Sequence, residues 1–124
     1  MLLVEDNAHV LHFAEQLLGE LQCRVTAVDS AEKALALVDE GERFDLLFSD
    51  VIMPGMSGVE LASAVRKTIR DLPVVLATGY SDEVIAGAGA QFEVLRKPYD
   101  SHTLGAAVVA AIERIDQVPV TVTP

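Results

Sequence analysis

Leu46-Leu47-Phe48-Ser49-Asp50-Val51-Ile52-Met53-Pro54-Gly55-Met56-Ser57-Gly58 is the stretch from which the fold is read. A short apolar run ends on an acid, Asp50. A loop punctuated by Pro54 and Gly55 follows, and Leu61, Val65 and Ile69 then fall on one helical stripe after Gly58. The pattern predicts a strand, a loop and a helix, with a carboxylate at the carboxyl end of the strand. In open α/β sheets that edge is where ligands bind.

Working towards the amino terminus, Met1-Leu2-Leu3-Val4 reads as a strand buried on both faces, ended by Glu5-Asp6. Asn7 is a good N-cap for a helix striped by Val10, Leu11, Ala14, Leu17, Leu18 and Leu21, with Gly19 weakening its last turn. Arg24 to Val28 is β-prone. Asp29 and Glu32 have the spacing of a capping box for a second helix, whose apolar face is Ala34, Leu35, Leu37 and Val38. Gly41 suits the position just past that helix. Phe44 to Ser49 is the third strand.

Towards the carboxyl terminus, Glu60 lies near the start of the helix after Gly58, and Arg66, Lys67 and Arg70 lie near its end, as the helix dipole favours. Pro73 opens a fourth strand, Val74 to Ala77, ending at Thr78. The segment Gly79 to Gln91 predicts a poor helix: Val84 and Ile85 are anchors, but each interior glycine of Ala86-Gly87-Ala88-Gly89-Ala90 costs ~1 kcal/mol relative to alanine. Phe92 to Arg96 is a fifth strand, followed by Lys97-Pro98. Asp100 or Ser101 caps a last helix striped by Leu104, Val108, Ala111, Ile112 and Ile115. The expected layout is one domain over residues 1–116 and a C-terminal tail over 117–124.

Five strands alternating with helices through short connections predict an α/β fold. The economical form is a single doubly wound five-stranded parallel sheet in the flavodoxin-like order 2-1-3-4-5, with helices on both faces. The 124 residues are the size of one domain, and few aromatics mean a core of Leu, Val, Ile and Ala. A net charge of −10 argues against nucleic acid or an anionic membrane surface as a direct partner. No apolar run approaches the ~20 residues of a membrane span, and acids interrupt the amino terminus before a signal peptide could form. The expected location is cytoplasmic. Cys23 is alone and reads as a small hydrophobe near a strand. His9 and His12, three apart, read as a solvated helix face rather than a metal pair.

In the order 2-1-3-4-5, strands 1 and 3 are neighbours at the switch point, so Glu5, Asp6 and Asp50 converge. Three carboxylates in one crevice hold either protons or a cation. Hard oxygen ligands and an open site favour Mg²⁺. Thr78 and Lys97 end strands 4 and 5 at the same edge, a hydroxyl and an ammonium suited to phosphoryl oxygens. No glycine-rich phosphate loop follows strand 1, so nucleotide or flavin binding is poorly supported. The inference is a carboxylate that accepts a phosphoryl group, with Mg²⁺ offsetting the charge.

These motifs, in order, are Val4-Glu5-Asp6, Asp50 with Met53-Pro54 and Met56-x-Gly58, Ala77-Thr78-Gly79, and Lys97-Pro98. Together the sequence resembles a response-regulator receiver domain of two-component signalling, from Leu2 to about Ile115. The resemblance implies that Asp50 is the phosphoacceptor and that Asp6 ligates Mg²⁺ directly. It implies that Glu5 acts mainly through a metal-bound water and that the Ile52 carbonyl is a further ligand. Thr78 would bond the phosphoryl oxygen, Lys97 would pair with it, and the Lys97-Pro98 bond would be cis. The implied partner is a histidine kinase or a histidine phosphotransfer protein.

The family's aromatic switch position, three before the lysine, is Val94 here, so the resemblance does not carry that switch over. By the same resemblance, the residues flanking the line of hydrolytic attack would be Ile52 and Tyr80, both bulky, so self-dephosphorylation is expected to be slow. The segment from Gly79 to Gln91 is expected to have low stability and to be ordered by phosphorylation. Val94 to Tyr99 and Thr78-Gly79-Tyr80 resemble receivers of hybrid sensor kinases and some stand-alone receivers; nothing resembles a DNA-binding output domain. Two other functions compete. An aspartyl-phosphate phosphohydrolase usually has a second acid two residues after its nucleophile, where this chain has Ile52, and needs a cap domain that this chain lacks the residues to build. A phosphate-independent interaction module has no use for the intact acid, threonine and lysine set.

Overall fold

The computed structural model describes residues 1–79 and 92–116. Tyr80, the expected weak helix beyond Gly79, and the tail over 117–124 lie outside the described residues. The strands are β1 (Leu2–Val4), β2 (Thr26–Val28), β3 (Leu47–Asp50), β4 (Val74–Thr78) and β5 (Glu93–Arg96). The described helices are α1 (Ala8–Glu20), α2 (Ala31–Asp39), α3 (Gly58–Arg66) and α4 (Ser101–Asp116). All pairings are parallel and the sheet order is β2-β1-β3-β4-β5, as the alternating pattern predicts.

Strand periodicity divides the core. Leu2, Val4, Leu47, Val74 and Leu76 point to one face, against Ala31, Ala34 and Val38 of α2 and Leu61, Ala62 and Val65 of α3. Leu3, Phe48, Val75, Ala77 and Leu95 point to the other, against Ala14 and Leu18 of α1 and Leu104, Ala107 and Ala111 of α4. Both faces are covered, which is why the strands read as continuous apolar runs. Val94 is half-buried against the first cluster and Cys23 against the second.

Local chemistry sets the element ends. The Asn7 side chain accepts hydrogen bonds from the His9 and Val10 N–H groups, capping α1. Ser57 and Glu60 form a reciprocal capping box that starts α3. Gly41, at φ +102°, ends α2; its N–H reaches the Val38 carbonyl while Glu42 N–H reaches Leu37, a Schellman closure. Asp100 caps α4 by accepting from the Thr103 N–H at 2.8 Å.

Four expectations are corrected. The cap of α2 is Ser30, not Asp29: Ser30 Oγ accepts from Lys33 N–H, and Asp29 instead pairs with the Lys33 ammonium at 2.8 Å. β3 begins at Leu47 rather than Phe44, because pairing with β4 starts where Leu47 meets Val74. Ile112 is 44 % exposed, and Ala107 takes the inward position beside Leu104 and Ala111. Leu21 falls past the last turn of α1 and is exposed, because the chain turns away at Gln22, φ 64°.

Candidate functional site

Four of the five strands deliver one group each to the same edge. Glu5 follows β1, Asp50 ends β3, Thr78 ends β4, and Lys97 follows β5. Their backbone is fixed by ladder bonds that continue past the strands: Val51 N–H to the Ala77 carbonyl at 3.0 Å, Lys97 N–H to Thr78 at 2.9 Å, and Glu5 N–H to Val28 at 3.2 Å. Glu5, Asp6 and Asp50 come together so that one carboxylate oxygen from each lies within 4.8 Å of the others. Asp6 is exposed, Asp50 half-buried and Glu5 buried.

Lys97 bridges this cluster. Its Nζ lies 3.0 Å from Asp50 Oδ1 and 3.3 Å from Glu5 Oε1. Glu5 Oε2 accepts a further bond from the Asn7 N–H at 3.1 Å. The residue that caps α1 thereby also anchors the buried acid. Burial pushes the Glu5 carboxyl above its ordinary range; the Asn7 N–H opposes the shift, the Asp50 charge adds to it, and Lys97 opposes it. Burial likewise raises Asp50, against the Lys97 bond and charge and with the help of Asp6. For Lys97, burial works against the charged form, but the bond to Asp50 and the charges of Asp50 and Glu5 outweigh it and raise its pKa. One ammonium thus faces two acids whose burial works against their charge. A cation bound by the cluster would relieve that mismatch, and all three side chains offer hard oxygens.

The loop after Asp50 is shaped by close approach. Gly58 N–H bonds the Val51 carbonyl at 2.8 Å. A Cβ at Gly58 would overlap the Asp50 carbonyl oxygen, so only glycine fits there. Ser49, fully buried, donates its hydroxyl to that same carbonyl at 2.9 Å. Ile52 stands in this loop and is 47 % exposed. Thr78 is buried at the end of β4.

The Lys97-Pro98 bond is cis, as expected from the motif. Tyr99 follows it and packs its ring edge-on against Phe48, two residues before Asp50, with centroids 5.7 Å apart, and against Phe13 of α1 at 6.0 Å. Burial, followed by the charges of Glu5 and Asp50, pushes the Tyr99 hydroxyl up to about 12. Tyr99 and Ser49 carry no local sequence signal for these contacts, whereas the Ser57-x-x-Glu60 spacing does carry a capping-box signal. Both helix histidines, His9 and His12, are exposed on α1.

Comparison with known proteins adds the decisive observation. Residues 1–109 match the family model described as the response regulator receiver domain. The chain belongs to this family. It is 33 % identical over 117 residues to the two-component response regulator PhoP of Pseudomonas aeruginosa, covering 92 % of this chain and 52 % of that protein. It is 32 % identical over 120 residues to the sensor kinase CckA of Brucella abortus, covering 94 % of this chain and 13 % of that one. A response regulator receiver protein from Sinorhizobium medicae superimposes with a TM-score of 0.83 at 28 % identity, covering 92 % of this chain and 94 % of that structure. This receiver domain spans from about a tenth to about a half of the curated relatives it matches. Among its described residues no helix is long and apolar enough to cross a membrane.

Proposed function

We propose that residues 1–116 act as a phosphoryl-accepting receiver in which the Asp50 carboxylate takes a phosphoryl group from a phosphohistidine. The observation that supports it most is the Lys97 bridge: the acid at the family's acceptor position lies 3.0 Å from an ammonium held at the same sheet edge. In the transfer an Asp50 oxygen bonds phosphorus as the phosphorus–nitrogen bond to the donor imidazole breaks. The donor leaves as a neutral ring once it takes a proton. Lys97 is poised to exchange its contact with Asp50 for one with a phosphoryl oxygen, and the Thr78 hydroxyl to donate to another. The donor set fits Mg²⁺: Asp6 and Asp50 would ligate it with the Ile52 carbonyl, and Glu5 would act through a bound water. When bound, the ion would offset the negative charge that accumulates as phosphate meets carboxylate.

The signal is a change of partner affinity rather than turnover. The donor is a histidine kinase or a histidine phosphotransfer protein, and the setting is cytoplasmic. The sensor-kinase relative supports a place in a phosphorelay as readily as the response-regulator relative supports a place at its end. By the family resemblance, Ile52 and Tyr80 hold the two positions beside the line of hydrolytic attack, and their bulk makes self-dephosphorylation slow.

Transfer from a labelled histidine phosphotransfer protein tests this reading. The expected result is at most one label per chain, dependent on Mg²⁺, acid-stable and base-labile. After donor removal the label decays slowly, and faster in a variant carrying Ile52→Asn with Tyr80→Glu. Multiple turnovers of a phosphomonoester, or no uptake from any phosphohistidine donor, would contradict it.

A further inference from the structure

Glu32 is the second residue of α2, and Ser30 rather than Asp29 caps that helix. The third position is Lys33, whose ammonium pairs with Asp29 at 2.8 Å. Glu32 therefore does not fold back onto its own helix start as a capping-box glutamate would. Its carboxylate crosses to the loop after Asp50 instead, where Oε2 accepts from the Met56 N–H at 3.3 Å. It lies so close that a Cβ on Gly55 would sit 2.9 Å from the same oxygen. Gly55 has φ +78°, so the chain turns in the left-handed region just where the carboxylate arrives.

The loop is thus held at two points. Its base is closed by Gly58 N–H on the Val51 carbonyl at 2.8 Å. Its outer limb is reached by Glu32, 24 residues away along the chain. Between these points lies Ile52, whose carbonyl is the only proposed metal ligand that comes from backbone rather than a side chain. A side-chain ligand adjusts by rotamer; a carbonyl is aimed only by the path of its loop. We propose that Glu32 is a positioning residue for the metal site: it fixes the outer limb of the 51–58 loop and so aims the Ile52 carbonyl at the cluster of Glu5, Asp6 and Asp50. This rests on the reading of Asp50 and Ile52 given above.

Two variants separate geometry from charge. Glu32→Gln keeps an oxygen that can accept from Met56 but removes the charge; Glu32→Ala removes both. Mg²⁺ affinity is read by chemical-shift titration, and the exchange rate of the Met56 amide is read without metal. The expected result for Glu32→Ala is Mg²⁺ binding weakened roughly three- to tenfold, the range of one modest hydrogen bond. Its Met56 exchange is faster. Glu32→Gln stays within about twofold of wild type on both readings. The proposal is overturned if Glu32→Ala binds Mg²⁺ as wild type does, or if Glu32→Gln is as impaired as Glu32→Ala, which would make the effect one of charge alone. A wild-type chain that binds no Mg²⁺ would overturn the reading of the acid cluster itself, and this proposal with it.

Discussion

Lys97 stands between Asp50 and Glu5, and the protonation of these three groups sets the charge at this edge of the sheet. Both carboxyls have folded-state pKa values raised, first of all by burial. A carboxyl raised on folding binds its proton more tightly in the native state. Its stabilising contribution is complete below the unfolded value, near 4, and is lost as pH climbs through the raised value. Lys97 is also raised, but its contribution is lost only above about 10.5, so it does not enter near neutrality. In chelator, the urea midpoint of the wild-type chain is therefore expected to fall between pH 4.5 and pH 7. Asp50→Asn, which removes one of the two acids, should show a smaller fall over about that window. Urea titrations at the two pH values check this; an equal or steeper fall in the variant would show that Asp50 carries no raised pKa.

Glycines show how the same residue type serves opposite purposes in different elements. Gly58 opens α3 against the Asp50 carbonyl, and an added Cβ there has no room. Backbone must shift to admit it, so Gly58→Ala should cost about 1–3 kcal/mol and disturb the strand end at Asp50. Gly19 lies in the last turn of α1, with nothing within 4 Å of an added Cβ. Gly19→Ala should stabilise by about 0.5–1 kcal/mol, through the helix preference of alanine and the smaller entropy of the unfolded chain. Chemical denaturation of the two variants reads both signs; a neutral Gly58→Ala would mean that the loop has slack the close contact does not suggest. The tether from α2 belongs to this scale as well. It links two elements through one side chain, and its loss should loosen the loop without unfolding either helix.

For the molecule as a whole, alternating strand residues assign α2 and α3 to one face of the sheet and α1 and α4 to the other, and leave the carboxyl edge for Glu5, Asp50, Thr78 and Lys97. That much was legible in the sequence, because period-2 burial and short connections leave few topologies, and topology alone brings strands 1 and 3 together. Asp29 and Ser30 both suit an N-cap by residue type, and the bond from the Lys33 N–H to Ser30 Oγ selects Ser30. Ile112 was misplaced because helical spacing gives a broad stripe, and small Ala107 takes the position facing the sheet. The Lys97 bridge and the Glu32 tether were not legible, since they join residues 92 and 24 positions apart through side-chain geometry. The claim on which the rest depends is that Asp50 accepts the phosphoryl group. Intact mass after incubation with acetyl phosphate and Mg²⁺ tests it most directly. The expected result is one added phosphoryl group on the wild-type chain, lost on base treatment, and none on a folded Asp50→Asn variant. An Asp50→Asn chain that still gains one base-labile phosphoryl group under the same conditions would contradict it.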